Sequence, residues 1–177
     1  MIQPLQEMMK PDKTKIIVRL RLLLTLACLL SGFLAGENIF RYAMEVPGWR
    51  HIRIDEWGEY SRHADLGNGV FLLPFEAIAS ALLLFTASFT ILKRKAEFQS
   101  AALPVHMASL FALAGLVLTF FAAPYMLRVR TIGSDPELLQ QIFNHFHYWG
   151  FYRAIAQVLS FCACVAALGK VFELRKQ

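Results

Sequence analysis

His145-Phe146-His147-Tyr148-Trp149-Gly150-Phe151-Tyr152-Arg153 opens onto a segment that carries no charge until Lys170 and is apolar as far as Leu168. At 3.6 residues per turn, His145, Trp149, Tyr152 and Arg153 share one helical face. A bilayer crossing takes about 20 predominantly apolar residues, and residues 150–169 meet that length. An arginine one turn inside such a segment is costly unless it meets a partner or water, so Arg153 marks a candidate site as well as a span.

Outward from this stretch the same pattern recurs. Three further apolar runs occupy residues 16–40, 70–92 and 101–125, and 56% of the 177 residues are hydrophobic. The chain therefore reads as all-α: one integral membrane domain, 1–177, built as a four-helix bundle. A cleavable leader is the rival reading of the first run, with an apolar core at 22–30 and Ala35-Gly36 near a cut. An uncleaved anchor is preferred, because apolar character continues to Phe40 and three more spans follow.

The loops divide by charge. Lysines occur at 10, 13, 15, 93, 95, 170 and 176, beside span ends that an even number of crossings puts on one side. The positive-inside rule makes that side cytoplasmic, with both termini, in the plasma (inner) membrane. The same distribution argues against nucleic acid as the reason for a net charge of +5. Loops 41–69 and 126–149 then face outward, each with a short interfacial helix. In the first, Pro47-Gly48 signals a turn, Asp55 a helix cap with Trp57 and Tyr60 on one face, and Gly67-Asn68-Gly69 a break. In the second, Ser134-Asp135-Pro136-Glu137 has the form of a capping box before an amphipathic helix, and Gly150 marks a bend into the last span.

Several polar groups converge on the outer ends of the spans. Glu76 lies about 9 Å inside the second span, at 1.5 Å per residue, and Arg153 at similar depth in the fourth. An ion pair between them is expected, since pairing relieves the cost of a lone charge in low dielectric. Glu37 and Asn38 close the first span at the same face. Trp57, Trp149 and Tyr152 form either an interfacial aromatic belt or the wall of a pocket for a flat lipophilic molecule. His51, His63, His145 and His147 share the outer side, where imidazoles suit zinc, copper, iron or haem. His145 and His147 diverge by about 200° on a helix, so no metal or cofactor is assigned to them. Cys28, Cys162 and Cys164 lie inside apolar runs without a CxxC pair and read as small packing residues. No P-loop, GxSxG, HExxH or GxGxxG is present, which leaves hydrolase, kinase and dinucleotide chemistry without local support.

Gly36-Glu37-Asn38, Glu45-Val46-Pro47, Trp57 and Tyr60 before Gly67-Asn68-Gly69, and Trp149, Arg153 and Ala154 after Asp135-Pro136-Glu137 together resemble the anthrone oxygenase-like family of small four-span membrane proteins. The resemblance covers most of the chain in topology. It implies a helical bundle with a pocket near one membrane face, and oxidation of an aromatic ring carbon by dioxygen without a metal. On that resemblance Glu76 or His145 is the base, Arg153 stabilises the oxyanion, and Trp149 and Tyr152 wall the ring. A non-catalytic membrane subunit or small-molecule binder is the alternative, acting as a homo-oligomer or with a partner at the Arg- and aromatic-rich outer loops. A transporter has less support, because few intramembrane charges are available for alternating access.

The topology is testable in a cysteine-free background. His51→Cys in intact cells is expected to react with a membrane-impermeant maleimide, and Glu97→Cys only after the membrane is opened. Labelling of Glu97→Cys from outside would invert the assignment.

Overall fold

Four long helices account for the four apolar runs of the chain. The computed structural model describes residues 13–174, so the extreme tails, including Lys10 and Lys176, lie outside the described residues. In chain order the elements are α1 (Lys13–Phe40), a π-helical turn Arg41–Glu45, α2 (Val46–Trp49), α3 (Ile54–His63), a second π-helical turn Ala64–Asn68, α4 (Gly69–Leu92), α5 (Gln99–Arg128) and α6 (Pro136–Glu173). There is no strand among the described residues. Helices α1, α4, α5 and α6 are each embedded in segments long and apolar enough to cross a membrane, which makes this a multi-pass, all-α membrane bundle.

The helices form a closed ring in which α1 packs on α4 and α6, α5 packs most closely on α6, and α4 and α5 pack least closely. Small side chains permit the close approach that membrane helices need. Ala27, Ala81, Ala87, Ala101, Ala108 and Ala167 are all buried. Hydrogen bonds cross between helices where hydroxyls reach a neighbouring helix's carbonyls: Ser109 Oγ donates to Leu84 O at 3.1 Å and Ser160 Oγ to Ala108 O at 2.9 Å. The Cys28 and Cys164 thiols touch at 3.0 Å between α1 and α6, while Cys162 is exposed, as the two-residue spacing implies. Val18, Leu22, Phe33, Phe75, Leu82, Phe89 and Phe120 are exposed and form an apolar outer surface suited to lipid. The start of α1 lies beside the end of α6, where Arg21 donates to the Val171 and Phe172 carbonyls at 3.4 and 3.3 Å.

The loops differ from the sequence reading in instructive ways. Pro47-Gly48 does not end the first helix: the helical path continues through the π turn to Trp49, with Pro47 placed directly after that turn in α2. Asp55 is not the cap of α3. Arg53 holds that position, and Asp55 in the first turn pairs with Arg53 instead. The break at Gly67-Asn68-Gly69 is a kink, with Gly67 alone leaving helical geometry. Pro124 does not end the third span either, since α5 runs on to Arg128. The polar helix after residue 135 is not separate from the fourth span. Asp135 caps it through Glu137 N at 3.0 Å and Leu138 N at 3.2 Å, Pro136 opens it, and it runs unbroken through Gly150 for 38 residues.

Gly150 has a packing role rather than marking a bend. A Cβ at this position would lie 2.4 Å from Tyr42 Oη, which donates to His147 O at 3.2 Å. Tyr42 packs edge-on against Phe151 and His147, so its ring cannot simply swing away. Gly150→Ala is expected to cost about 1–3 kcal/mol by overpacking. Tyr42→Phe should remove the clash, because the ring carbon behind the hydroxyl is already at 3.7 Å. Thermal unfolding of the two single variants and the double variant in mild detergent checks this; a double variant no more stable than Gly150→Ala would refute it.

Candidate functional site

The two π-helical turns carry the two halves of a buried ion pair. Arg41 Nη2 donates to Asp65 Oδ1 at 2.7 Å, and Glu45 lies 3.4 Å from Arg41 on the next turn. Arg41 and Asp65 are 8% and 7% exposed, so both charges are withdrawn from solvent. A π turn carries an extra residue and recurs at functional sites. Here the two turns bring the end of the first span against the start of the second. Trp49 lies over the Arg41 guanidinium, 5.9 Å from ring centre to Cζ. Around it Trp57, Leu66, Met126, Leu139, Phe143 and Phe146 form an apolar cluster separate from the core between the spans.

Beneath this cap lies a cavity of about 320 Å³ lined by all four long helices. Its wall is mostly apolar, with Leu34, Leu73, Leu116 and Phe146 among the contributors, and Glu37, Asn38, Arg41, Asp65, Arg153 and Gln157 supply the polar groups. Asn38 Nδ2 donates to Gln157 Oε1 at 2.6 Å and to Leu34 O at 2.6 Å, so one hydrogen bond joins the two amides. Arg41 and Asp65 satisfy much of each other's charge. Glu37 and Arg153 do not: neither is in any hydrogen bond or ion pair with another described residue, and Arg153 Nε is buried without a partner. The charges that act on Glu37 are, strongest first, those of Arg41, Glu76 and Arg153, and it forms an ion pair with none of them. A half-buried carboxylate and a guanidinium thus share an apolar chamber, each with free hydrogen-bonding capacity. Such a chamber can bind a molecule with an acidic oxygen, take a proton from it and hold the resulting negative charge.

No family model, curated protein or solved structure matches this chain. The chemistry of the site therefore rests on its own residues.

The expected site residues divide cleanly. Arg153, Glu37 and Asn38 line the cavity. Glu76 does not, and the expected Glu76–Arg153 ion pair is not formed among the described residues; Glu76 lies one residue before Ala77 and so faces about 100° away from it. His145 is exposed and stacks on Tyr125, with ring centres 4.9 Å apart, so it does not reach the cavity as a base. Trp149 stacks on Phe121 at 5.1 Å, Tyr152 is 46% exposed beside Tyr148, and Trp57 is fully buried against Phe143. None of the three aromatics lines the cavity; they build the belt and the cap.

The histidines are dispersed. His51 is exposed, His63 pairs with Glu59, and His147 is buried in a box of Tyr42, Trp49, Trp57, Phe143 and Phe146 rings with neither nitrogen bonded. Among the described residues no three His, Cys, Asp or Glu side chains are grouped to hold a metal ion.

Arg41, Asp65 and Gln157 are the site residues that sequence reasoning missed. Gln157 was findable, four residues beyond Arg153 on the same helical face. Arg41→Met is expected to destabilise the protein by about 3–5 kcal/mol, because it leaves the Asp65 carboxylate buried without its cation. Arg41→Met combined with Asp65→Leu should recover most of that loss. Unfolding in detergent reads both; equal stability of Arg41→Met and the native chain would show the pair to be dispensable.

Proposed function

We propose that this multi-pass membrane protein binds a flat lipophilic aromatic molecule in the outer cavity and oxidises it as an oxygenase-like enzyme of the plasma (inner) membrane. The observation that carries this reading is the pair of opposite, unpartnered charges, Glu37 and Arg153, in one apolar chamber. The resemblance to the anthrone oxygenase-like family supplies the reaction class. The lysine distribution supports placing the cavity in the outer leaflet.

Glu37 takes the place first given to Glu76 or His145. It removes a proton from a ring methylene activated by a neighbouring carbonyl, and Arg153 holds the enolate oxygen that results. Dioxygen adds at the ring carbon, and the proton on Glu37 returns to the peroxide oxygen. Loss of water, with the second methylene hydrogen, leaves a new carbonyl. One methylene and one dioxygen molecule thus give one ketone carbonyl and one water, with the ring carbon oxidised and dioxygen reduced. Low dielectric around the cavity strengthens the interaction of Arg153 with the developing oxyanion.

The test is oxygen uptake and carbonyl-product absorbance with anthrone in protein-bearing vesicles against empty ones. Glu37→Gln is expected to lower turnover by about a hundredfold or more, in the range for a general base. Arg153→Gln should fall by about a hundredfold, whereas Glu76→Gln should turn over normally. Anthrone that binds saturably without accelerated oxygen uptake would discard the enzyme and leave a binding protein that works with a partner.

A further inference from the structure

We infer that the ligand enters the cavity sideways from the bilayer, between α4 and α5, and is a membrane-resident amphiphile whose one acidic or hydroxyl oxygen meets Arg153. This rests on the binding reading above and adds the route and the ligand class.

The aqueous end of the cavity is closed. The buried Arg41–Asp65 pair and the aromatic cluster lie across it. Three arginine contacts fasten this roof: Arg130 Nη2 donates to Leu66 O at 3.0 Å, Arg62 Nε donates to Val129 O at 3.1 Å, and Arg62 also reaches Gly133 O. The deep end is closed as well. Leu34, Ala77 and Gln157 line its floor and also border, below it, a void of only about 10 Å³ that reaches Ser31, Ser80, Ala112 and Ser160. That is room for about one water.

The side is open. Ile78 on α4 and Leu127 on α5 line the cavity and are also 50% and 45% exposed on the apolar outer surface. Pro74 is likewise both a lining residue and exposed. Hydrogen bonds join α4 to α5 toward the inner end, through Ser88 with His106 at 2.7 Å and Ser109 with Leu84 O. The next tie is Arg130 to Leu66 O at the roof. Between these no hydrogen bond crosses from α4 to α5 among the described residues. Pro74 has no N–H for the Val70 carbonyl, which loosens α4 beside this gap.

The distribution of groups sets the ligand's polarity and size. On α6 the lining runs from Phe146 to Gln157, about 16 Å at 1.5 Å per residue. Arg153, Glu37, Arg41 and Asp65 lie toward the outer end, and Leu34, Ala77, Ile78 and Leu116 lie deeper. A molecule already oriented in the outer leaflet, oxygen toward the headgroups and rings toward the midplane, slides in without turning over. The volume of about 320 Å³ suits one compact ring system and is too small for a two-chain phospholipid.

The probe is 1-hydroxypyrene in phosphatidylcholine vesicles carrying the full chain, followed by stopped-flow fluorescence anisotropy. When lipid is varied at fixed total probe, the association rate is expected to follow the probe's mole fraction in the bilayer. Ile78→Trp and Leu127→Trp, both at exposed positions beside the gap, should each slow association by about tenfold. Arg153→Gln should weaken 1-hydroxypyrene, and pyrene itself should bind the native chain less tightly. Rates that follow the aqueous concentration and ignore both tryptophans would overturn the lateral route while leaving binding intact. Equal affinity for pyrene and 1-hydroxypyrene would overturn the amphiphile class. Absence of saturable binding to the native chain would overturn the binding reading itself, and this inference with it.

Discussion

Two opposite charges held out of solvent, on Arg41 and Asp65, govern the capped half of this protein. Neither residue is tolerable there alone, because desolvating a single ion costs several kcal/mol. Together they oblige the end of the first span and the approach to the second to stay in register. The chain meets that obligation with two π-helical turns, one under each partner. Everything above the pair is organised to keep it dry, including Trp49 over the guanidinium and the fully buried Trp57. Everything below it is the cavity. The ion pair is thus the floor of the cap and the ceiling of the chamber at once.

Inside the chamber the logic reverses. The amides of Asn38 and Gln157 close on each other, but Glu37 and Arg153 keep their hydrogen-bonding capacity unspent. A bundle selected only for stability would pair them. Keeping them apart costs stability, and a ligand with a polar oxygen relieves that cost on binding. Glu37 sits on α1 and Arg153 on the neighbouring α6, and the two side chains do not pair, so relief comes from something that contacts both.

The spans were legible because apolar length is a strong signal, and the start of α6 was legible because Asp135-Pro136 combines a cap with a proline that suits the first turn. Arg153, Glu37 and Asn38 were legible as polar groups at matching depth. Depth is one coordinate, however, and pairing needs the azimuth. Glu76 has the right depth and the wrong face, while Asp65 was hidden in what looked like loop. Arg41 was hidden for the same reason: Pro47-Gly48 signalled a break, yet the helical path runs on past Arg41 through a π turn to Trp49. His145 and His147 show the azimuth again, one exposed on Tyr125 and the other enclosed by rings. The aromatics were read for a pocket because an interfacial belt and a pocket wall have the same composition. Which residue stacks on which depends on contacts between helices far apart in sequence, such as Phe121 with Trp149.

Helix α6, with its 38 residues, is about 57 Å long at 1.5 Å per residue, against a hydrocarbon core of about 30 Å. It carries Leu139 and Phe143 of the cap, the Tyr148-Trp149 belt and Arg153 on one unbroken rod. Their spacing along the bilayer normal is therefore fixed by the backbone and cannot adjust piecewise. The belt acts as a waterline, and Arg153 hangs about 6 Å below Trp149 wherever that waterline settles. In a thicker membrane the rod has to stand more upright or draw the lipids inward around it, rather than lift its cation toward the headgroups. The local lipid composition thereby becomes part of the site's depth and of its dielectric surroundings.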